Sequence, residues 1–111
     1  MIYKIFRPDE WADLQANGTS SGAPIDVSDG YIHFSTAAQA PETAAKHFAG
    51  AQGLILVLVD ETLLGDALKW EVSRGNAKFP HLYRDLTMTD VISAHTIGYQ
   101  NGTHVFPVGM E

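Results

Sequence analysis

The chain has 111 residues, 45% of them hydrophobic and 18% charged, and it contains no cysteine. That length suits a single domain over residues 1–111 that buries roughly two thirds of its unfolded surface, and it excludes a disulfide framework, a thiolate nucleophile and a sulfur-based zinc site. Seven basic against thirteen acidic residues leave a net charge of −6, which repels phosphate backbones and anionic lipid, so neither long nucleic acid nor a membrane is an expected partner.

Residues 2–6 form an apolar run of β-formers and predict an opening strand. No charged leader precedes a long apolar region, and no stretch reaches the length of a membrane span, so the expectation is a soluble cytoplasmic protein. Pro8, with Asp9 and Glu10 behind it, suits the first turn of a helix that carries Trp11 and Leu14 on one face and stops at Asn17-Gly18. Residues 19–30 are rich in Ser, Gly, Asp and Pro without a sustained period, and read as a surface loop with at most a brief extended segment.

Residues 31–35 follow as a second strand, and Thr36 with Gln39 makes a capping-box pattern at the start of a helical segment that strengthens at Pro41 and closes at Gly50. Residues 54–59 are six consecutive apolar positions, the pattern of a central strand covered on both faces. After a turn of helix or a loop over 61–67, residues 68–73 alternate, with Leu68, Trp70 and Val72 on one face and Lys69, Glu71 and Ser73 on the other, which predicts a half-buried strand. Gly75-Asn76 marks a turn, and residues 79–83 are extended and stiffened by Pro80. Residues 91–99 and 103–108 flank Asn101-Gly102, a hairpin signal, although 91–95 can also be read as helical.

Chemistry gathers on strand faces. Parity places Tyr31, His33 and Ser35 together, and Lys69, Glu71 and Ser73 together. If those faces meet across a cleft, Glu71 supplies an anion that stabilises a developing cation and His33 a hydrogen-bond donor near neutral pH. The competing reading has Glu71 and Lys69 solvated and His33 a hydrogen-bonded ring. His81 and Tyr83 share parity with Phe79 and line either a pocket or a packed sheet edge. Arg74 and Arg84 suit surface ion pairs or an anion. The histidines lack close metal-ligand spacing, so no metal site is expected. Neither a nucleophile elbow, a P-loop nor a dinucleotide-binding glycine fingerprint is present.

Ile2-Tyr3, Trp11, the run Asp29-Gly30-Tyr31-Ile32-His33-Phe34-Ser35-Thr36, then Lys69-Trp70-Glu71 and Phe79-Pro80-His81-Leu82-Tyr83 together resemble the small bacterial family catalogued as domain of unknown function 952. The resemblance runs over nearly the whole chain to about Leu86. It implies an α+β fold similar to the ADP-ribosyltransferase superfamily: a split, mostly antiparallel β structure with two or three short helices outside and a nicotinamide-dinucleotide cleft between the sheet halves. NAD is the implied substrate. Glu71 looks like the strand-borne glutamate that holds a ribose hydroxyl and stabilises the oxocarbenium-like cation. With His33 it forms the implied catalytic pair. Tyr31, Ser35, Thr36, His81 and Tyr83 make up the implied ligand-binding wall, the last two as family signature residues without an assigned role. Many relatives carry histidine where this chain has Lys4, so an imidazole contact there is replaced by an ammonium. The RNA 2′-phosphotransferase branch needs a basic surface, which a −6 chain does not offer. The expected function is binding of a nucleotide-type small ligand, with ADP-ribosyl transfer or NAD glycohydrolysis as its enzymatic version. The alternative is a non-catalytic small-ligand-binding or regulatory module.

Overall fold

The opening strand β1 (Ile2–Phe6) is buried along its whole length, Lys4 included. It pairs antiparallel with β4 (Ile55–Val59), which in turn pairs with β8 (Val91–Thr96). β4 is therefore central. Its side chains divide by parity between two apolar clusters. Val57 and Val59 join Ile2, Phe6 and Leu14 on one face, and Leu56 joins Tyr3, Ile5 and Ala44 on the other. A strand with hydrocarbon on both faces has no solvent side to mark with polar residues, which explains its unbroken apolar pattern. This computed structural model describes residues 1–110 apart from the side chain of Arg74, so the reading of Arg74 lies outside the described residues.

Helix α1 (Pro8–Asn17) begins and ends where its sequence signals place it. The Arg7 N–H donates to Glu10 Oε1 at 2.9 Å, and Gly18 closes the helix at φ 76° with its N–H donating to the Leu14 carbonyl. The segment from 19 to 30 departs from the loop reading. It holds a two-residue strand, β2 (Thr19–Ser20), and a short helix, α2 (Pro24–Asp29). β2 pairs with β7 (Leu86–Thr87). Six residues are too few to show a helical period, and α2 is held instead by its buried Asp26.

A second antiparallel sheet has the order β3-β6-β5, built from β3 (Ile32–His33), β6 (Lys78–Leu82) and β5 (Leu68–Val72). Pro80 sits in its middle strand. Its carbonyl accepts from the Phe34 N–H just beyond the end of β3, so the donor that proline lacks falls where the ladder stops. The two sheets are bridged where Tyr3 and Ser35 exchange backbone hydrogen bonds of 2.8 Å. The fold is thus α+β, with mostly antiparallel sheets and three α-helices among the described residues.

After Ser35 the predicted capping box is formed. Thr36 N–H donates to Gln39 Oε1, and Gln39 N–H donates to Thr36 Oγ1. Helix α3 (Ala40–His47) follows and buries Ala40 and Ala44 against the first sheet. Residues 91–96 form a strand, not the alternative helix. The Asn-Gly hairpin lies farther on, between β9 (Gly98–Gln100) and β10 (Thr103–Val105). Asn101 and Gly102 take φ 53° and 77°, the paired positive values that a tight hairpin turn with right-handed strand twist requires. Among the described residues no helix is long and apolar enough to cross a membrane.

The alternating strand 68–73 forms, but the burial of its faces differs from expectation. Leu68 reaches the core, whereas Trp70 is 41% and Val72 59% exposed. β5 is an edge strand, and only its Leu68 end lies opposite the buried Leu82. Arg84 makes a bidentate pair with the largely buried Asp90, at 2.8 and 3.1 Å, and so belongs to the ion-pair reading.

Fully buried Leu14 anchors α1, whereas Leu63 is 57% exposed. Urea denaturation is expected to show Leu14→Ala destabilised by about 3 kcal/mol and Leu63→Ala unchanged to within about 0.5 kcal/mol.

Candidate functional site

A lysine inside the apolar strand β1 requires a partner, and α2 provides it. Lys4 Nζ donates to Asp26 Oδ2 at 2.7 Å, with the Asp26 side chain fully shielded from solvent. The same oxygen accepts the Ala23 N–H at 2.7 Å, while Asp26 Oδ1 accepts the His33 backbone N–H at 3.1 Å and faces His33 Nδ1 at 2.5 Å. Burial alone pushes this carboxyl's pKa up. The hydrogen bond from His33 and the charge and hydrogen bond of Lys4 outweigh burial, and hold it down at about 2. Gly22 makes the packing possible, because a Cβ built there lies 2.2 Å from Asp26 Oδ2. The second ring nitrogen of His33, Nε2, faces Asp29 Oδ2 at 3.1 Å. Both nitrogens of His33 therefore face carboxylates.

The other predicted groups assemble on one face of the second sheet. His33 lies directly opposite His81, and Lys69 lies opposite His81 on its other side. The faces carrying His33 and Glu71 thus do not confront each other across a cleft. They are the same face, with β6 between them. Tyr31 stacks on His81 with ring centroids 4.2 Å apart, and lies 4.7 Å from His33 and 5.2 Å from Tyr83. Glu71 Oε1 accepts from His81 Nδ1 at 2.9 Å and from the Tyr83 hydroxyl at 2.6 Å. The Tyr83 and His81 hydrogen bonds lower the Glu71 pKa, and the carboxylate pushes the Tyr83 phenol up to about 12. Tyr31 is raised too, first by burial and then by the charges of Asp29, Glu71 and Asp26.

Glu71 fixes the hydrogen of His81 on Nδ1, because a carboxylate only accepts. Nε2 then presents its lone pair. His81 is 3% exposed, and Nε2 has no hydrogen-bond partner among the described residues. His81 forms part of the wall of a cavity of about 670 Å³ at the seam of the two sheets, together with Tyr3, Lys4, Asp26, His33, Ser35 and Phe79. Arg7, Glu10 and Asp29 add charge to that wall, and Arg7 lies over the Phe48 ring at 4.8 Å.

The expected site residues therefore separate into three groups. His33, Ser35 and His81 line the cavity. Glu71 and Tyr31 stand outside its wall and reach it through contacts with His81, and Tyr83 stands behind them, bonded to Glu71 and packed on Tyr31. Thr36 serves as the helix cap, while Ser35 Oγ meets Thr43 Oγ1 at 3.1 Å. The ammonium of Lys4, expected in place of an imidazole, is engaged by Asp26. Asp26 itself escaped the sequence reading. Its signals were a lone lysine in an apolar strand and the Pro24-to-Gly30 frame of a very short helix. Among the described residues no cluster of three or more His, Asp or Glu could hold a metal ion.

The family model described as Protein of unknown function (DUF952) matches residues 5–94. The crystal structure of protein CC0527 from Caulobacter crescentus is similar, with a TM-score of 0.89 and 44% identity over 93% of this chain and 91% of that one. The solution NMR structure of CC0527 from the same organism gives a TM-score of 0.83 at 44% identity, over 93% and 89% of the two chains. No curated protein matches.

Asp26 titrates at about 2 in the folded chain against 3.8 ordinarily. Its contribution, about 2 kcal/mol, is therefore complete above pH ~4 and is lost as the pH falls through ~2. Denaturation midpoints measured from pH 5 to 2 are expected to drop across that window. Asp26→Asn, which leaves the Lys4 ammonium buried without its counter-ion, is expected to cost about 3–5 kcal/mol at pH 7. Ultraviolet titration of the tyrosines should show one ionising near pH 12, and Glu71→Gln should return it toward pH ~10.

Proposed function

The chain belongs to the DUF952 family, and on that footing we propose that the seam cavity is a binding site for a nucleotide-type small ligand, with His81 as its polar anchor. One observation carries this reading: a nearly buried imidazole in the cavity wall, locked by Glu71 in one tautomer, keeps an unpartnered Nε2. Leaving such an atom unsatisfied costs about 1–3 kcal/mol, a cost that a ligand's hydroxyl or N–H removes. The cavity's size lies within the usual range for small-molecule sites, and its mixture of ring faces and convergent polar groups suits a base and a ribose.

The enzymatic version takes up the ADP-ribosyltransferase-like chemistry that the sequence resemblance implies, with NAD as substrate. In it the bond between nicotinamide and ribose breaks, and nicotinamide leaves with the bonding electron pair. Water or an acceptor hydroxyl attacks the ribose carbon and gives its proton to His81 Nε2. Asp26, Asp29 and Glu10, rather than Glu71, are then the carboxylates that the cavity wall offers to the developing cation. Glu71 is a positioning residue that acts through His81. This placement of Glu71 favours the non-catalytic reading as the alternative, in which the same cavity binds and releases its ligand unchanged.

Thermal shift and amide chemical-shift mapping with ADP-ribose, AMP and NAD test the binding. ADP-ribose is expected to stabilise the wild type and to move resonances of residues 33, 35 and 81. His81→Ala is expected to weaken it by about tenfold or more, the value of one lost buried hydrogen bond. Nicotinamide release that vanishes in His81→Ala selects the enzymatic version, and binding without release selects the non-catalytic one. A ligand panel that perturbs neither stability nor the spectrum overturns the proposal.

A further inference from the structure

The joined sheets leave two free edges, β8 and β5. They differ chemically. Residues 91–96 of β8 carry neither an ammonium nor a carboxylate, whereas β5 reads Leu68-Lys69-Trp70-Glu71-Val72 and has opposite charges at equal distances on either side of Trp70. From that symmetry and the exposure of the strand we infer that β5 pairs antiparallel with β5 of a second copy of this chain, about a twofold axis at Trp70.

The hydrogen-bond parity of the edge agrees with this pairing. On the side facing β6, Tyr83 N–H donates to the Ala67 carbonyl and Ser73 N–H to the Ala77 carbonyl, so the odd-numbered residues between them bond inward. The N–H and C=O groups of Leu68, Trp70 and Val72 consequently point to the open edge. Pairing about Trp70 sets Trp70 against the partner's Trp70 and Leu68 against the partner's Val72, for about six interstrand hydrogen bonds. Lys69 then falls opposite the partner's Glu71 in a non-hydrogen-bonded pair, where side chains approach most closely. A register shifted by two residues loses both charge matches.

Burial supports the same partner. Trp70 is 41% and Val72 59% exposed, on a strand whose remaining apolar residue, Leu68, already reaches the core. Edge strands are commonly protected by charge or proline on the open side. Here the charges cancel against a second copy, so they direct pairing where they would otherwise prevent it. The interface is isologous, because one patch meets itself. It also brings the partner's Lys69 beside Glu71, the residue that holds His81.

Analytical ultracentrifugation of the full chain tests this. The wild type is expected to be a dimer at tens of micromolar, on the order expected for a small interface. Trp70→Glu is expected to be monomeric with an unchanged circular dichroism spectrum and melting temperature. Lys69→Glu alone, or Glu71→Lys alone, places like charges opposite each other and is expected to weaken the dimer by about tenfold or more. An equimolar mixture of these two variants matches both charge pairs in the heterodimer and is expected to recover association close to that of the wild type. A wild type that stays monomeric up to roughly 500 µM overturns the inference and leaves the edge to a strand from another protein. A dimer that none of these substitutions weakens overturns it as well.

Discussion

The ion pair of Lys4 and Asp26 is the constraint on which the rest of the molecule depends. It ties the first strand to a helix of only six residues, and through the second carboxylate oxygen it reaches the backbone and ring of His33 in the other sheet. Three elements, β1, α2 and β3, are thereby held at one carboxylate. A buried pair of this kind adds little net stability compared with hydrocarbon of the same volume, but it tolerates no alternative partner. Its value is positional. It fixes where β3 lies against β1, and so where the two sheets meet.

That arrangement explains the order of the site around it. His33 is turned by Asp26 and Asp29, and His81 by Glu71, so that two imidazoles 5.4 Å apart are each oriented by carboxylates from different elements. Tyr31 packs between them and covers one face of the His81 ring. The electrostatics follow from this layering. Asp26 is held far below its usual range, and the Tyr83 phenol is held protonated well above its own. Preorganised carboxylates and fixed tautomers are what a site needs if its polar groups are to meet a ligand without rearrangement.

Much of the fold was legible because it is written locally. The unbroken apolar run of β4, the proline and glycine that bracket α1, the capping box of Thr36 and Gln39 and the Asn101-Gly102 turn each specify their own geometry. Strand parity also placed His33 and Glu71 on polar faces and grouped His81 and Tyr83 with Phe79. Parity says nothing about which strands are neighbours, however, and β6 lies between the strands of His33 and Glu71 where a cleft was expected. Asp26 was invisible for a related reason. Its partners lie 22 residues upstream and 7 downstream, and no local period records them. The exposure of Trp70 and Val72 was hidden because alternation reports two different faces without saying what covers either.

The single bridge between Tyr3 and Ser35 has a mechanical consequence. Each three-stranded half is stiffened by its own ladder, and across the seam, among the described residues, one reciprocal pair of backbone bonds and the Asp26 contacts add to the apolar cluster of Ile2, Phe6, Ile32, Phe34 and Leu82 that both halves share. Polar ties between the halves therefore gather along that line, and the hollow lies beside it. A guest lodged there would touch both halves at once, so that its arrival would tighten an existing joint more than reshape either side.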